Sequence, residues 1–282
     1  MKTSSIIKPV AQGGWPRTEE AKLAILSYPG EKGYDTIPRD DPTVLPFIFE
    51  FADIEKLSPF EVVHKVESAT AAVLSGKYGT IMTFAGDGGH KLYEWYFQRA
   101  FLDKLNNPPK GWDGNEEKMV GPAYGQAHKD YGLYMTKLLT SSVPYAVVTF
   151  WNGLDKIDPL NPDKNAPRAY FADLPGLMGR RVGGEFSAAL FAETLPADQQ
   201  GFMIGRWVTK IEGHLQGIGI KVDPRIAQNI PRRIPQHFGI LQAHMSGDHV
   251  RAATMTAQFL AEQPVRRNLK GPNSTLTTRK ET

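Results

Sequence analysis

The stretch that decides the fold is AKLAILSYPGEKGYDT, residues 21–36. Its first seven residues form a short apolar run before a turn, a pattern typical of a buried β-strand that ends at a Pro-Gly pair. A phosphate-binding loop would place the spacing G-x-x-x-x-G-K-[ST] here. Gly33 matches the second glycine of that spacing. Tyr28, Tyr34 and Asp35 take the places of the first glycine, the lysine and the Ser/Thr. The stretch is therefore either a degenerate phosphate loop or a turn without a ligand.

Phosphate binding at such a loop needs backbone N–H groups that glycines leave accessible, a lysine for the terminal phosphates and a hydroxyl for Mg²⁺. Lys32 lies two positions before the expected lysine, and Thr36 lies one position after the expected hydroxyl. Asp35 would bring a negative charge towards the phosphates, so the sequence disfavours hydrolysis while nucleotide binding stays open. The candidate nucleotide-binding residues are Pro29, Gly30, Lys32, Gly33 and Thr36.

Strand and helix patterns alternate through the first half of the chain. Four apolar runs indicate β-strands: 22–28, 45–53, 78–84 and 144–151. Three segments repeat apolar residues at helical spacing: 58–76, 90–105 and 124–139. Ser58 and Glu61 have the spacing of a capping box at the start of the first of these segments. This alternation predicts an α/β fold in which helices flank a central, mostly parallel sheet.

The pattern changes after residue 152. Two later runs, 185–194 and 202–210, indicate an antiparallel hairpin near an edge of the sheet. We expect an N-terminal arm over 1–20, one α/β domain over 21–245, a C-terminal helix over 246–263 and a mobile basic tail over 264–282. Ser246 or Asp248 is the expected N-cap of that helix.

Composition narrows the function classes. The chain has no cysteine, which excludes disulfides, thiolate metal sites and cysteine nucleophiles and indicates a reducing compartment. No apolar run reaches the roughly 18 residues of a membrane span, so we expect no membrane partner. Neither an H-E-x-x-H nor a G-x-S-x-G motif is present.

The two halves of the chain differ in charge. Residues 1–159 carry 17 Lys and Arg against 20 Asp and Glu, whereas residues 160–282 carry 16 Lys and Arg against 10 Asp and Glu. The basic second half fits either a polyanion partner or a solvated surface.

The order of several segments resembles that of the RecA-like P-loop NTPases (AAA-domain proteins) encoded by tailed bacteriophages. These segments are KLAILSYPGEKG, FIFEFAD, GKYGTIMTFAGDGGHKLYEWYFQRAF, AYGQAHKDYGLYMTKLL, PYAVVTFW and LPGLMGRRVGGEFSAALFAE. The resemblance covers residues 21–245 and implies a RecA-like fold, ATP and Mg²⁺ as ligands, a homo-oligomer or phage assembly partner, and DNA as a further partner. It departs from the family at the phosphate loop, whose lysine and Ser/Thr are replaced.

The resemblance also assigns acids. In the family an Asp directly follows the third strand and orders Mg²⁺ and water. Here residues 83–86 separate the apolar run from Asp87, which is the candidate catalytic and metal-binding acid. Asp53 ends the second strand candidate, where acids of the family position water, and is the second catalytic candidate. For both residues, a solvated turn or strand end is the alternative.

Six cations of the second half are candidates for contact with nucleic acid or a neighbouring subunit. They are Arg180, Arg181, Arg206, Lys210, Arg232 and Arg233. Arg180 and Arg181 follow a Gly-rich segment, which we expect to form a turn, and would reach a neighbour's nucleotide or DNA phosphates; the others interleave with Trp207 in a pattern that suits phosphate contact. For Arg180 and Arg181, simple exposure is the competing interpretation; for Arg232 and Arg233, whose segment is stiffened by two prolines, it is a packed extended strap.

Two functions follow from these expectations. The first is a phage-type RecA-like nucleotide-binding protein that acts in DNA processing or recombination in the cytoplasm of the host cell. The second is a catalytically inactive NTPase-fold protein that serves as a structural or assembly component of the virion. A non-catalytic DNA-binding protein is a third interpretation.

Overall fold

A computed structural model describes residues 6–262 apart from Lys32, Pro159, Gly176, 195–204, Glu212 and His214. The helices are α1 Phe51–Ile54, α2 Pro59–Leu74, α3 Gly89–Asn106, α4 Glu117–Leu139, α5 Leu177–Glu185, α6 Pro224–Ala227, α7 Phe238–Met245 and α8 His249–Glu262. The strands are β1 Ala21–Ser27, β2 Val44–Ile48, β3 Thr80–Asp87, β4 Tyr145–Val148, β5 Asn152–Lys156, β6 Arg168–Ala172, β7 Ala188–Ala189, β8 Phe191–Thr194, β9 Gly205–Val208, β10 Gly219–Ile220 and β11 Arg233–Pro235.

The central sheet has four parallel strands in the order β2-β1-β3-β4. β1 lies between its two neighbours and is buried on both faces from Leu23 to Ser27. A continuous apolar run is the pattern that strands covered on both faces require. The predicted α/β fold with a parallel sheet and flanking helices is therefore confirmed.

One face of the sheet packs against α2, α3 and α4. The predicted capping box is present: the Ser58 hydroxyl accepts the N–H of Glu61 at 3.3 Å, and the Glu61 carboxylate accepts the N–H of Ser58 at 2.8 Å. Buried side chains of the helices, including Val66, Tyr96 and Tyr131, meet those of the sheet in one core.

The opposite face is covered in part by the segment before β1. Ile6 joins Leu23 and Ile25 in a second apolar cluster. Arg17, which is 9% exposed, donates to the carbonyl oxygens of Ile7 and Lys8 and to the Thr43 hydroxyl. The described part of the expected N-terminal arm is thus packed onto the sheet.

The second half adds small antiparallel sheets. β8 pairs with β9 as the predicted hairpin, but it does so in a separate three-stranded sheet with β11, and not at an edge of the parallel sheet. The Gly-rich segment before residue 186 forms α5 where we expected a turn. The last helix begins at His249, and the Asp248 side chain accepts the N–H of Arg251 at 3.0 Å, as an N-cap does. The expected tail over 264–282 lies outside the described residues.

Buried tyrosines fill the space between β1 and the helices. The Tyr28 and Tyr134 hydroxyl oxygens lie 2.7 Å apart, and the Thr70 hydroxyl lies 3.0 Å from that of Tyr134. Tyr131 donates to the carbonyl oxygen of Gly89 at 3.1 Å. Burial raises the pKa of Tyr134 to about 12 and raises the pKa of Tyr28 and of Tyr131 well above the ordinary value. The hydroxyls are therefore held protonated inside the core.

We predict an alkaline loss of stability from these tyrosines. Because their pKa values are raised in the folded state, the folded chain keeps protons that the unfolded chain releases above about pH 10. Stability is complete below that pH and falls as the pH rises towards 12, the approximate folded-state pKa of Tyr134. Urea unfolding between neutral and strongly alkaline pH, followed together with phenolate absorbance, measures this. Full titration of every tyrosine near pH 10 with the folded circular-dichroism spectrum retained would contradict it.

Candidate functional site

The candidate site lies where the order of the strands reverses. β1 connects to β2 on one side and has β3 on the other, so the carboxyl ends of β1 and β3 form a topological switch point. Ligands of open α/β sheets bind in the crevice at such a point. Ser27 is the register partner of Asp87, and the N–H of Tyr28 donates to the Asp87 carbonyl oxygen at 2.9 Å. The turn after β1 and the acid after β3 are thus adjacent.

Asp87 is the last residue of β3. The strand runs three residues beyond the predicted 78–84 segment because it stays paired with β1 up to Ser27. The Asp87 side chain is buried at 2% exposure and accepts the Thr149 hydroxyl at 2.6 Å. The same hydroxyl oxygen accepts the N–H of Gly88 at 2.9 Å. Thr149 therefore ties the end of β4 to the end of β3.

The turn after β1 is tight and partly buried. The N–H of Glu31 donates to the Tyr28 carbonyl oxygen at 3.0 Å, and Pro29 is buried with its carbonyl accepting the Trp95 indole N–H at 3.0 Å. Gly30 is exposed and has φ +93°, a conformation that favours glycine. Of the loop residues proposed to bind nucleotide, Lys32 lies outside the described residues. Gly33 and Thr36 belong to a short 3₁₀ helix, not to the α-helix that follows a working phosphate loop.

A strand–glycine turn–helix arrangement is found instead after β3. Gly88 has φ +86° and precedes Gly89, the first residue of the 18-residue helix α3. The N–H groups of Gly88 and Gly89 both donate to Thr149, to its hydroxyl and to its carbonyl oxygen. In the sequence this turn corresponds to GDGG at 86–89, where we considered only Asp87 as a candidate residue.

Glu31 lies against this helix start. A Cβ atom placed on Gly88 would stand 2.7 Å from Glu31 Oε2, so glycine is needed there for the carboxylate to approach. A negative charge at the N-terminus of a helix is stabilised by the helix dipole. The carboxylate of Glu31 therefore occupies a place that an anionic ligand would use.

The same carboxyl edge of the sheet also carries His90, Lys91 and Trp151. The His90 ring is 3% exposed, and its Nε2 lies 4.0 Å from Glu31 Oε2. The backbone N–H of Trp151 donates to His90 Nδ1 at 3.5 Å. Trp151 is 50% exposed and its indole lies 4.7 Å from the His90 ring. Lys91 Nζ lies 5.7 Å from the centre of the indole and 2.9 Å from the Glu94 carboxylate. The edge thus offers a glycine turn, an ammonium group and an open aromatic face.

The other proposed residues lie on elements outside this edge of the sheet. Asp53 lies on α1, exposed, beyond the carboxyl end of β2. Arg180 donates to the carbonyl oxygens of Ile157 and Lys156 and to the Asp155 carboxylate at 2.9 Å, so its charge holds the β5–β6 hairpin.

The remaining candidate cations differ in exposure. Arg233 Nε lies 2.5 Å from Glu193, and Lys210 Nζ donates to the Gln228 carbonyl oxygen at 3.3 Å. Arg206 is half-buried on β9, whereas Arg181 and Arg232 are exposed. Arg206 and Arg233 thus lie on the neighbouring strands β9 and β11, both next to Glu193 of β8, whereas Arg180 and Arg181 lie on α5.

A cavity of about 230 Å³ adjoins the edge. Its walls come from 146–152, from β6, from α5 and from 188–192, and Trp207 lines it as well. Phe150, Trp151, Phe171 and Phe191 make the lining strongly aromatic. Sequence reasoning missed the cavity because its walls come from segments that are far apart in the chain.

Within the part of the chain that the structure describes, no three His, Asp or Glu side chains gather into a group that could hold a metal ion. No helix among the described residues has the length and apolar character needed to cross a membrane. Comparison with protein-family models, curated proteins and solved structures found no match to the chain.

We predict that Thr149→Val destabilises the protein by about 1–3 kcal/mol, because it leaves a buried carboxylate oxygen and the Gly88 N–H without their hydroxyl partner. The matched control is Thr136→Val, whose hydroxyl bonds the Gly132 carbonyl on an exposed face of α4. We expect the control to stay within about 0.5 kcal/mol of the parent. Chemical denaturation of both variants tests this, and equal losses would show that Thr149 does not tie the strand ends together.

Proposed function

We propose that the protein is a phage-type RecA-like nucleotide-binding protein that acts in DNA processing or recombination, with binding of ATP and not its hydrolysis as the main activity. The observation that carries the proposal is the position of Asp87, which ends β3 directly beside the glycine turn after β1. An acid at the end of a parallel strand next to a turn at the switch point is the arrangement that nucleotide sites of open α/β sheets use. The order of segments over 21–245 supports the same class.

In this proposal the phosphates lie along the carboxyl edge of the sheet between Gly30 and Lys91, which we call the phosphate edge. Gly30 is exposed and lets a ligand approach the backbone, and the Lys91 side chain passes 3.6 Å from the position of a Gly30 Cβ. Mg²⁺ would arrive with the phosphates, since proteins usually bind it through one or two carboxylates and the substrate. In this proposal Asp87 would supply that carboxylate, and the metal would offset phosphate charge.

Hydrolysis is disfavoured by the same residues. Asp87 is 2% exposed and already accepts the Thr149 hydroxyl. Asp53, the second candidate acid, is exposed on α1. The family's lysine and Ser/Thr positions hold Tyr34 and Asp35. Glu31 must move away from the start of α3 before phosphate can enter, because two anions repel each other there.

The partners belong to the proposal as well. Arg181 and Arg232 are exposed and provide contacts for DNA phosphates or for a neighbouring subunit. Under this proposal the protein works as a homo-oligomer on DNA in the cytoplasm of the infected cell.

We predict that ATP with Mg²⁺ raises the thermal stability of the protein by an amount that grows with ligand concentration as RT ln(1 + [L]/Kd). Glu31→Gln removes the competing charge at the start of α3 and should strengthen ATP binding by about two- to fivefold. Glu55→Gln, at an exposed position beyond α1, is the matched control and should leave the affinity unchanged. Differential scanning fluorimetry over an ATP series gives both affinities.

No thermal shift at millimolar ATP and Mg²⁺ in the parent and in Glu31→Gln, together with no turnover, would remove the nucleotide-binding proposal. A shift of the same size for Glu31→Gln and Glu55→Gln would leave binding in place but would move the phosphates away from α3.

A second candidate is the inactive assembly or virion component. It is favoured by Glu31, whose carboxylate fills the start of α3 while Thr149 satisfies the N–H groups of Gly88 and Gly89. A closed site of this kind needs no nucleotide to be stable. Light scattering at increasing protein concentration separates the two functions: assembly without nucleotide supports the structural component, and a strict monomer that binds no protein partner opposes it.

A further inference from the structure

β4 presents an open edge to the cavity. The N–H of Thr149 donates to the Gly86 carbonyl oxygen at 2.9 Å and its carbonyl oxygen accepts the Gly89 N–H at 2.8 Å, so both backbone groups face β3 and the start of α3. Because these directions alternate along a strand, the backbone groups of Ala146 and Val148 face the other edge. No strand in the described ranges pairs with that edge. Residues 146–152 line the cavity consecutively, as the edge of a strand does and a face does not.

This edge places a carbonyl acceptor and an N–H donor side by side. The carbonyl of Ala146 and the N–H of Val148 are two residues apart, the spacing at which groups of one strand point the same way. A ligand without polar atoms would leave both groups buried and unsatisfied, which would weaken its binding. The occupant therefore needs a donor and an acceptor next to each other.

The other walls favour a flat ring. Phe171, Phe191 and Trp207 line the cavity together with Phe150 and Trp151. Aromatic faces stack with planar rings better than with aliphatic chains. A ring with neighbouring donor and acceptor atoms would satisfy the open edge in its own plane while its faces meet these side chains.

The charges around the cavity favour a neutral ligand. Among the described residues that line the cavity, Arg180 is the cation, and its guanidinium stacks 4.3 Å from the centre of the Phe171 ring. Asp155 forms an ion pair with it at 2.9 Å, and the backbone carbonyls of Lys156 and Ile157 each accept one of its N–H groups. Since its charge is already offset, Arg180 gives little attraction for an anion inside the cavity.

We propose that the cavity between the open edge of β4 and Phe191 binds a neutral heteroaromatic ring of the nucleobase class, with the Ala146 carbonyl and the Val148 N–H reading the edge of the ring. The cavity meets the phosphate edge at Thr149–Trp151, so the ring of a bound nucleotide would enter here. To that extent the inference rests on the proposed function, although ring binding is testable without phosphate.

The test uses adenosine, guanosine, cytidine and uridine, which carry the ring and no phosphate. Saturation-transfer NMR on the full chain detects binding and reports which ring protons lie against the protein. Ala189→Phe adds a large side chain to the cavity wall and should weaken nucleoside binding by at least about tenfold. Ala253→Phe, on an exposed face of α8, is the matched control and should change it less than about twofold.

Phe191→Ala gives a second variant in case Ala189→Phe does not fold. It removes an aromatic wall without adding volume and should also weaken nucleoside binding. Circular dichroism shows whether each variant is folded. No saturation transfer to any nucleoside at millimolar concentration, or equal binding by parent, Ala189→Phe and Phe191→Ala, would overturn the inference.

Two further ligands separate this inference from the proposed function. If tripolyphosphate and ATP bind equally well and Ala189→Phe weakens neither, the phosphate edge exists and the ring site does not. If the nucleosides bind and ATP binds no more tightly than adenosine, the ring site stands and phosphate binding at Gly30 and Lys91 fails.

Discussion

The structure depends on the pairing of β1 between β2 and β3. Residues Leu23–Ser27 are buried on both faces of the sheet, so this strand fits only in the interior of the sheet, with a paired neighbour along each edge. The parallel pairing carries β3 up to Asp87 and places that residue opposite Ser27. Everything at the candidate site follows from this register, because it sets which side chains share the carboxyl edge of the sheet.

Thr149 fixes the end of β4 relative to the end of β3 and the start of α3. One hydroxyl binds the Asp87 carboxylate and a glycine N–H, and the backbone of the same residue bonds Gly86 and Gly89. The end of β4 is thereby held against the start of α3, with its other edge turned towards the aromatic cavity. A single side chain thus connects the buried acid, the helix start occupied by Glu31 and the cavity wall. The phosphate edge and the cavity are for this reason neighbouring parts of one surface.

Much of the fold could be predicted from the sequence, because local patterns of apolar and capping residues indicate its strands and helices. The apolar run before Pro29 gave β1, and Ser58 with Glu61 gave the start of α2. Where a prediction failed, the cause was long-range contact. Residues 85–87 contain two small residues and an acid, which give little strand signal, yet pairing with β1 holds them in β3. The Gly-rich segment around Arg180 forms a helix whose arginine is held by the β5–β6 hairpin, an interaction that the local sequence does not reveal.

The candidate site was predictable only in part, for the same reason. Asp87 was a candidate through the resemblance and Gly30 through the loop spacing, and both lie at the carboxyl edge of the sheet. Glu31 drew no attention because its significance comes from Gly88, 57 positions away in the chain. Thr149 and Trp151 belong to a strand end that was read only as secondary structure. The cavity needs walls from several distant segments, so no single stretch of sequence could indicate it.

The strand order is tested most directly by nuclear Overhauser effects between backbone protons of a deuterated sample. The order β2-β1-β3-β4 predicts contacts between Ala24 and Phe84, between Leu26 and Gly86, and between Gly86 and Val148. It predicts no contacts between β1 and β4. Contacts between β1 and β4, or none between β1 and β3, would separate Asp87 from the turn at Gly30 and would contradict the account.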